Sequence, residues 1–235
     1  MRIHPRNWIA AALLLTGLLA YPLSYAADAP PAPTPPTTGP ASAPPRVRVT
    51  TNMGDFVIEL YPERAPITVA NYLRYVKEGY YSGTIFHRVI ANFVIQGGGH
   101  QLGDKELKGV HEPIVNESGN GLQNKRGTVG LARGEPAHSG NAQFYVNLVD
   151  NPDLDPLATR WGYAVFGHIV EGMDIVDRIG VTPTGAVPPF KSDAPLKPVI
   201  IEKVVLIDTS AAGTPVTPTP GPAEKSSNTT ILSPR

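Results

Sequence analysis

The chain has 235 residues, with 20 Lys and Arg against 20 Asp and Glu, and no cysteine. Balanced charge excludes the strong positive field of a nucleic-acid or anionic-membrane binder, and the missing cysteines exclude disulfides, thiolate metal sites and cysteine nucleophiles. An apolar fraction of 41% over this length fits one sizeable core rather than two.

Residues 1–26 read as an export signal. Arg2 and Arg6 give a positive start, Ile9 to Ala20 is an apolar run broken only by Thr16 and Gly17, and Ser24-Tyr25-Ala26 offers small residues where a signal peptidase cuts. The run falls short of the about 20 residues that span a bilayer, so cleavage after Ala26 is expected rather than a retained anchor. Residues 27–45 form a linker: eight of the 18 residues from Asp28 to Pro45 are proline, a composition that makes an extended spacer. Residues 209–235 are rich in Thr, Pro and Ser and are expected to be a disordered tail. Between these arms, residues 46–208 make one folded domain.

Within the domain, Val47, Val49 and Thr51 alternate with polar residues, Asn52-Met53-Gly54-Asp55 signals a turn, and Phe56, Ile58 and Leu60 alternate again. This pattern is a hairpin. A helix follows, with Pro66 in its first turn, Val69, Tyr72, Leu73 and Val76 on one face, and Gly79 as its stop. Strand-like runs come next at Thr84–Arg88, Phe93–Gln96, Thr128–Ala132, Phe144–Leu148 and Ala164–Val170. A short helical pattern spans Met173–Ile179, and Val199–Ile207 is a long final strand. The fold class is mainly β. Many short strands with few helices suggest a closed sheet, because closure removes exposed edges.

Two segments carry the chemistry: Phe86-His87-Arg88-Val89-Ile90-Ala91-Asn92-Phe93-Val94-Ile95-Gln96-Gly97-Gly98-Gly99 and Asn141-Ala142-Gln143-Phe144-Tyr145-Val146-Asn147-Leu148. Both resemble signature segments of the cyclophilins. Gly162 to Met173 is similar to the strand and helix that follow in that family, and the resemblance runs in order over nearly all of the domain. It implies a closed eight-stranded antiparallel β-barrel capped by two α-helices. It also implies peptidyl-prolyl cis-trans isomerase activity on proline-containing unfolded or exported polypeptides. No cofactor and no metal are implied. The expected form is a monomer, secreted across the inner membrane into a periplasm, with no stable membrane association after signal cleavage. A non-catalytic proline-binding module or chaperone using the same groove is the alternative.

The resemblance assigns roles residue by residue. Arg88 matches the catalytic arginine, and Gln96 the glutamine that steadies it and bonds the substrate backbone. Phe93, Val94, Tyr145 and Leu154 match the apolar slot for the proline ring. Gly134-Glu135-Pro136 matches the wall that pairs with the residue before proline, with Glu135 expected to make that backbone contact and Gln143 lying beside it. Taken singly, Arg88 is a solvated strand residue and Phe93, Val94 and Tyr145 are core residues; the joint pattern gives them meaning. His87, next to Arg88 on a strand, is expected on the opposite face as a buried, hydrogen-bonded structural residue. Two departures stand in the slot: Val94, where the family often has methionine, and Tyr145, where it often has phenylalanine and whose hydroxyl adds a polar tip. Asp153 lies where many members carry an aromatic that contacts cyclosporin, so weak cyclosporin binding is expected.

Overall fold

The computed structural model describes residues 43–103, 105–106 and 110–207. The segments read as an export signal and a tail, and most of the proline-rich stretch, lie outside the described residues. Along the described chain run β1 (Arg46–Thr51), β2 (Gly54–Leu60), α1 (Pro66–Lys77), β3 (Thr84–Ile90), β4 (Val94–Gln101), β5 (Lys105–Glu106), β6 (Thr128–Leu131) and β7 (Phe144–Asn147). A 3-10 turn at Pro152–Leu154 precedes β8 (Val165–Glu171), α2 (Met173–Gly180), β9 (Thr184–Val187), β10 (Phe190–Pro195) and β11 (Ile200–Ile207).

Eight of these strands close a ring in the order β3, β11, β1, β2, β8, β6, β7, β4, with β4 pairing back onto β3. Every neighbouring pair is antiparallel. This is the eight-stranded barrel with two helices that the resemblance implied. β5 extends the end of β4, and β9 and β10 form a separate hairpin. The sequence reading missed that hairpin, although Pro188-Pro189 between its strands is a turn signal.

Strand alternation sorts the side chains. Phe56, Ile58, Leu60, Phe86, Ile95, Phe144, Val146, Phe166 and Ile201 fill the interior, all under 2% exposed. α1 adds Val69, Tyr72, Tyr75 and Val76 to the same core, and α2 adds Val176 and Ile179. Tyr72 meets Phe166, Tyr81 and Phe144 at ring separations of 5.1, 5.3 and 5.7 Å. Such a cluster gains about 0.5–1.5 kcal/mol per ring pair beyond area burial. Leu73, placed on the same helix face by the sequence, is half-buried and packs against this cluster. The first turn of α1 has no acidic residue of its own; Glu117 supplies one, its carboxylate accepting from the amides of Ile67 and Thr68 at 3.1 and 2.7 Å.

Candidate active site on the barrel wall

The interior is full, so the face that remains for a ligand is the outer one. On β4, Ile95 points inward while Val94 and Gln96 take the opposite face. On β7, Phe144 and Val146 point inward and Tyr145 outward, with Gln143 just before the strand. Antiparallel register sets Gln96 opposite Tyr145, and Arg88 of β3 opposite Gln96. Phe93 is not in a strand: it ends the turn between β3 and β4, its amide donating to the Ile90 carbonyl. From that corner it overhangs the same face. The result is a groove of about 310 Å³ lined by Arg88, Phe93, Val94, Gln96, Tyr145 and Leu154, with Ala132, Arg133 and Tyr163 along its far side.

Arg88 is half-buried and stands 5.7 Å from the centre of the Phe93 ring. Its Nη1 donates to Gln96 Oε1 at 3.4 Å, and Gln96 Nε2 donates to Gln143 Oε1 at 3.0 Å. Two amides thus relay orientation from β7 to the guanidinium. Gln143 can lie there because residue 99 is glycine; a Cβ at Gly99 would come within 2.4 Å of its Nε2. Among the described residues no carboxylate pairs with Arg88. A guanidinium has five N–H donors, so most of its donors remain for a ligand.

The slot stays apolar. Val94 is 2% exposed and Tyr145 4%, each giving one face to the groove. The expectation of a polar tip in the slot is corrected: the Tyr145 hydroxyl points away from the ligand side and donates to Asn124 Oδ1 at 2.6 Å. Burial, with Tyr163 and Asp155 nearby, pushes this phenol well above its usual range, so it is a neutral donor.

The wall beyond the slot differs from the sequence reading. Gly134 lines a second, polar hollow of about 340 Å³ with Gln96, Ala132, Arg133, Ser139, Asn141 and Gln143. Glu135 lines neither hollow: it is exposed, and its carbonyl faces inward to accept from Arg133 Nη1 at 3.3 Å. Gln96, Ala132 and Arg133 line both hollows and join them. The Arg133 guanidinium lies 4.5 Å from the Tyr163 ring centre and donates to the carbonyls of Gly134, Glu135, Trp161 and Gly162. It thereby ties the 133–136 turn to the 161–163 segment. Its position immediately before Gly134 was the available signal.

His87 is buried and away from the groove, as expected, but not by strand alternation. Phe86 and Val89 both enter the core, and a register shift between Phe86 and Arg88 leaves His87 and Arg88 together on the outside. The two part company because the β9–β10 hairpin covers His87, with Phe190 stacked on it at 5.5 Å; His100 of β4 meets it at 4.6 Å. Its Nδ1 is buried without a hydrogen-bond partner. Burial first, and then the neighbouring His100, pushes its pKa from 6.5 down to about 4, so the ring is neutral. A larger concavity of about 400 Å³ lies under residues 156–161, away from Arg88, and its one charged group, Arg160, is engaged by the carbonyls of Asp153 and Asp155.

Residues 46–206 match the model of the family described as cyclophilin type peptidyl-prolyl cis-trans isomerase/CLD. The chain belongs to that family. Peptidyl-prolyl cis-trans isomerase B of Escherichia coli K12 is 48% identical over 159 residues, which are 66% of this chain and 96% of that protein. The isomerase cyp18 of Streptomyces antibioticus is 45% identical over 164 residues, 68% of this chain and 98% of its own. Among solved structures, a Cryptosporidium parvum cyclophilin matches with TM-score 0.58 at 28% identity, over 70% of this chain and 98% of its own. The same parasite protein has also been solved in the presence of the dipeptide Ala-Pro, again with TM-score 0.58 and 28% identity, over 69% of this chain and 99% of its own. This cyclophilin is therefore a peptidyl-prolyl cis-trans isomerase.

Proposed function

We propose that this cyclophilin turns Xaa-Pro bonds in exported polypeptides, as a periplasmic monomer, with Arg88 as its catalytic group. A peptide bond resists rotation because its nitrogen shares a lone pair with the carbonyl, a barrier of about 18–20 kcal/mol. Unaided prolyl isomerisation takes about 10–100 s. No bond breaks, so catalysis requires only that the enzyme fit the twisted state better than either planar one. Phe93, Val94, Tyr145 and Leu154 hold the proline ring, and Arg88 donates to the prolyl nitrogen as its lone pair localises. Gln96 steadies Arg88 and bonds the substrate backbone, and the Ala132–Gly134 edge pairs with the residue before proline. The observation that carries this reading is the Arg88 guanidinium, oriented by Gln96 and Gln143 and paired with no carboxylate among the described residues, at the rim of an apolar slot. The positive start, apolar run and Ser24-Tyr25-Ala26 of the first 26 residues support export.

The test is to recover the protein from the periplasmic fraction of cells expressing the full chain, read its first residue, and time the cis-to-trans relaxation of a short Xaa-Pro peptide beside Arg88→Ala. The expected protein begins at Ala27, and the variant loses about 10²–10³-fold in kcat, the usual cost of one preorganised electrostatic donor. A chain still beginning at Met1 in the cytoplasmic fraction would overturn the export reading. Unchanged kcat in a folded Arg88→Ala would overturn the assignment of the arginine.

A further inference from the structure

Behind the slot lies a polar cluster that none of the assigned roles uses. Asn124, Asn147 and Asn151 are 1, 0 and 7% exposed. Asn124 Oδ1 accepts from the Tyr145 hydroxyl at 2.6 Å and from Asn147 Nδ2 at 3.2 Å. Its Nδ2 donates to Asp155 Oδ1 at 2.9 Å, and the same carboxylate oxygen takes its backbone amide at 2.7 Å. Its carbonyl accepts the Asn151 amide at 2.8 Å. Asn151 Nδ2 donates both to Asn147 Oδ1 at 2.7 Å and to the Phe93 carbonyl at 3.0 Å.

We infer that Asn124 is a positioning residue for the proline slot. This role rests on the assignment of Phe93, Tyr145 and Leu154 as that slot, and it follows from connectivity. The hub reaches the slot floor through the Tyr145 hydroxyl and the Phe93 side through Asn151. Asp155, the residue after Leu154, brings in the third side. Three buried amides cost desolvation that only full pairing recovers. Apolar side chains would fill the same space without that cost, but could not fix three separate segments at defined distances. Space for the phenol is also provided: residue 130, opposite Tyr145 in β6, is glycine, and a Cβ there would sit 2.2 Å from the Tyr145 hydroxyl. The network makes no side-chain hydrogen bond to Gln96 or Gln143. It sets where the ring rests, while the side-chain hydrogen bonds that orient Arg88 come from Gln96 and Gln143.

That separation predicts a KM effect with little kcat effect, the pattern of lost uniform binding. The experiment measures kcat and KM separately for an Ala-Pro peptide at low temperature, with melting curves, for the full protein and for Asn124→Ala, Tyr145→Phe and their double variant. Asn124→Ala is expected to raise KM about tenfold, the worth of one net buried hydrogen bond, and to change kcat less than about threefold. Tyr145→Phe is expected to raise KM about threefold. The double variant should be no worse than Asn124→Ala, because the two act through one bond. A folded Asn124→Ala with KM within about twofold of the parent overturns the proposal. So does a fall in kcat at constant KM. Should Asn124→Ala not fold, Tyr145→Phe decides alone, since it removes only a hydroxyl: an unchanged KM rejects the role. Leu154→Ala tests the slot itself. If it leaves KM unmoved, slot and proposal fall together; if it raises KM while Asn124→Ala does not, only the positioning role falls.

Discussion

The neutral His87 makes this cyclophilin domain sensitive to mild acid in a way that one substitution removes. In the fold its pKa is pushed to about 4 by burial, then by His100, with Arg88 adding a smaller push and the Ile85 backbone opposing. In the unfolded chain it returns to about 6.5. Above pH 6.5 both states hold it neutral and it contributes no pH dependence. As pH falls from 6.5 toward 4, only the unfolded state takes up the proton, so stability is lost over that window and levels off below it. At about 1.4 kcal/mol per tenfold in proton affinity, the full loss is about 3 kcal/mol, of which about 2 kcal/mol is gone by pH 5. Urea unfolding at pH 7.5 and pH 5 reads this directly. With a urea slope of about 2 kcal/mol per molar, the midpoint should drop by about 1 M. Carboxylates also titrate toward that range, so the comparison is with His87→Leu, which keeps an apolar side chain against Phe190. The variant should lose about 1 M less than the parent between the two pH values. Equal drops in both proteins would refute the reasoning, because burial of a neutral imidazole would then not be the source of the acid sensitivity.

Two further outcomes follow from the site. Gly130→Ala would push a Cβ to 2.2 Å from Tyr145 Cζ and its hydroxyl; overpacking of this kind costs about 1–3 kcal/mol, and a melting-temperature drop of about 3–10 °C is expected, with no drop refuting the fit. Asp153 is exposed beside Leu154, so Asp153→Trp should tighten cyclosporin binding about tenfold or more by adding apolar contact; calorimetric titration giving equal affinities would count against that position as a contact.

The barrel and the groove were legible in the sequence to different depths. Alternation marked β1 and β2, a long run rich in Val and Ile marked β11, and the spacing of Val69, Tyr72 and Val76 marked α1, since one buried helix face leaves a periodic trace. β9 and β10 left none: their residues are mostly half-buried or exposed, and apart from Pro188-Pro189 nothing in their pattern sets them off from a loop. At the site, Arg88, Gln96, Val94 and Tyr145 converge as read, because cross-strand register carries them there. Glu135 did not, because the carbonyl of an exposed turn goes where a neighbouring guanidinium pulls it. The direction of the Tyr145 hydroxyl depended on Gly130 and Asn124, which are distant in sequence and meet it only through strand pairing and a buried loop.

Because the proposed substrate groove lies on the outside of a filled barrel, a substrate held there stays outside the interior. Arg88 and Phe93 line one side of this groove, and Arg133 and Tyr163 the other. A proline deep within a long unfolded chain can therefore be laid across it sideways, with both flanking segments left free in solution. On that reading, a proline inside a long client is as accessible to the groove as one near its end.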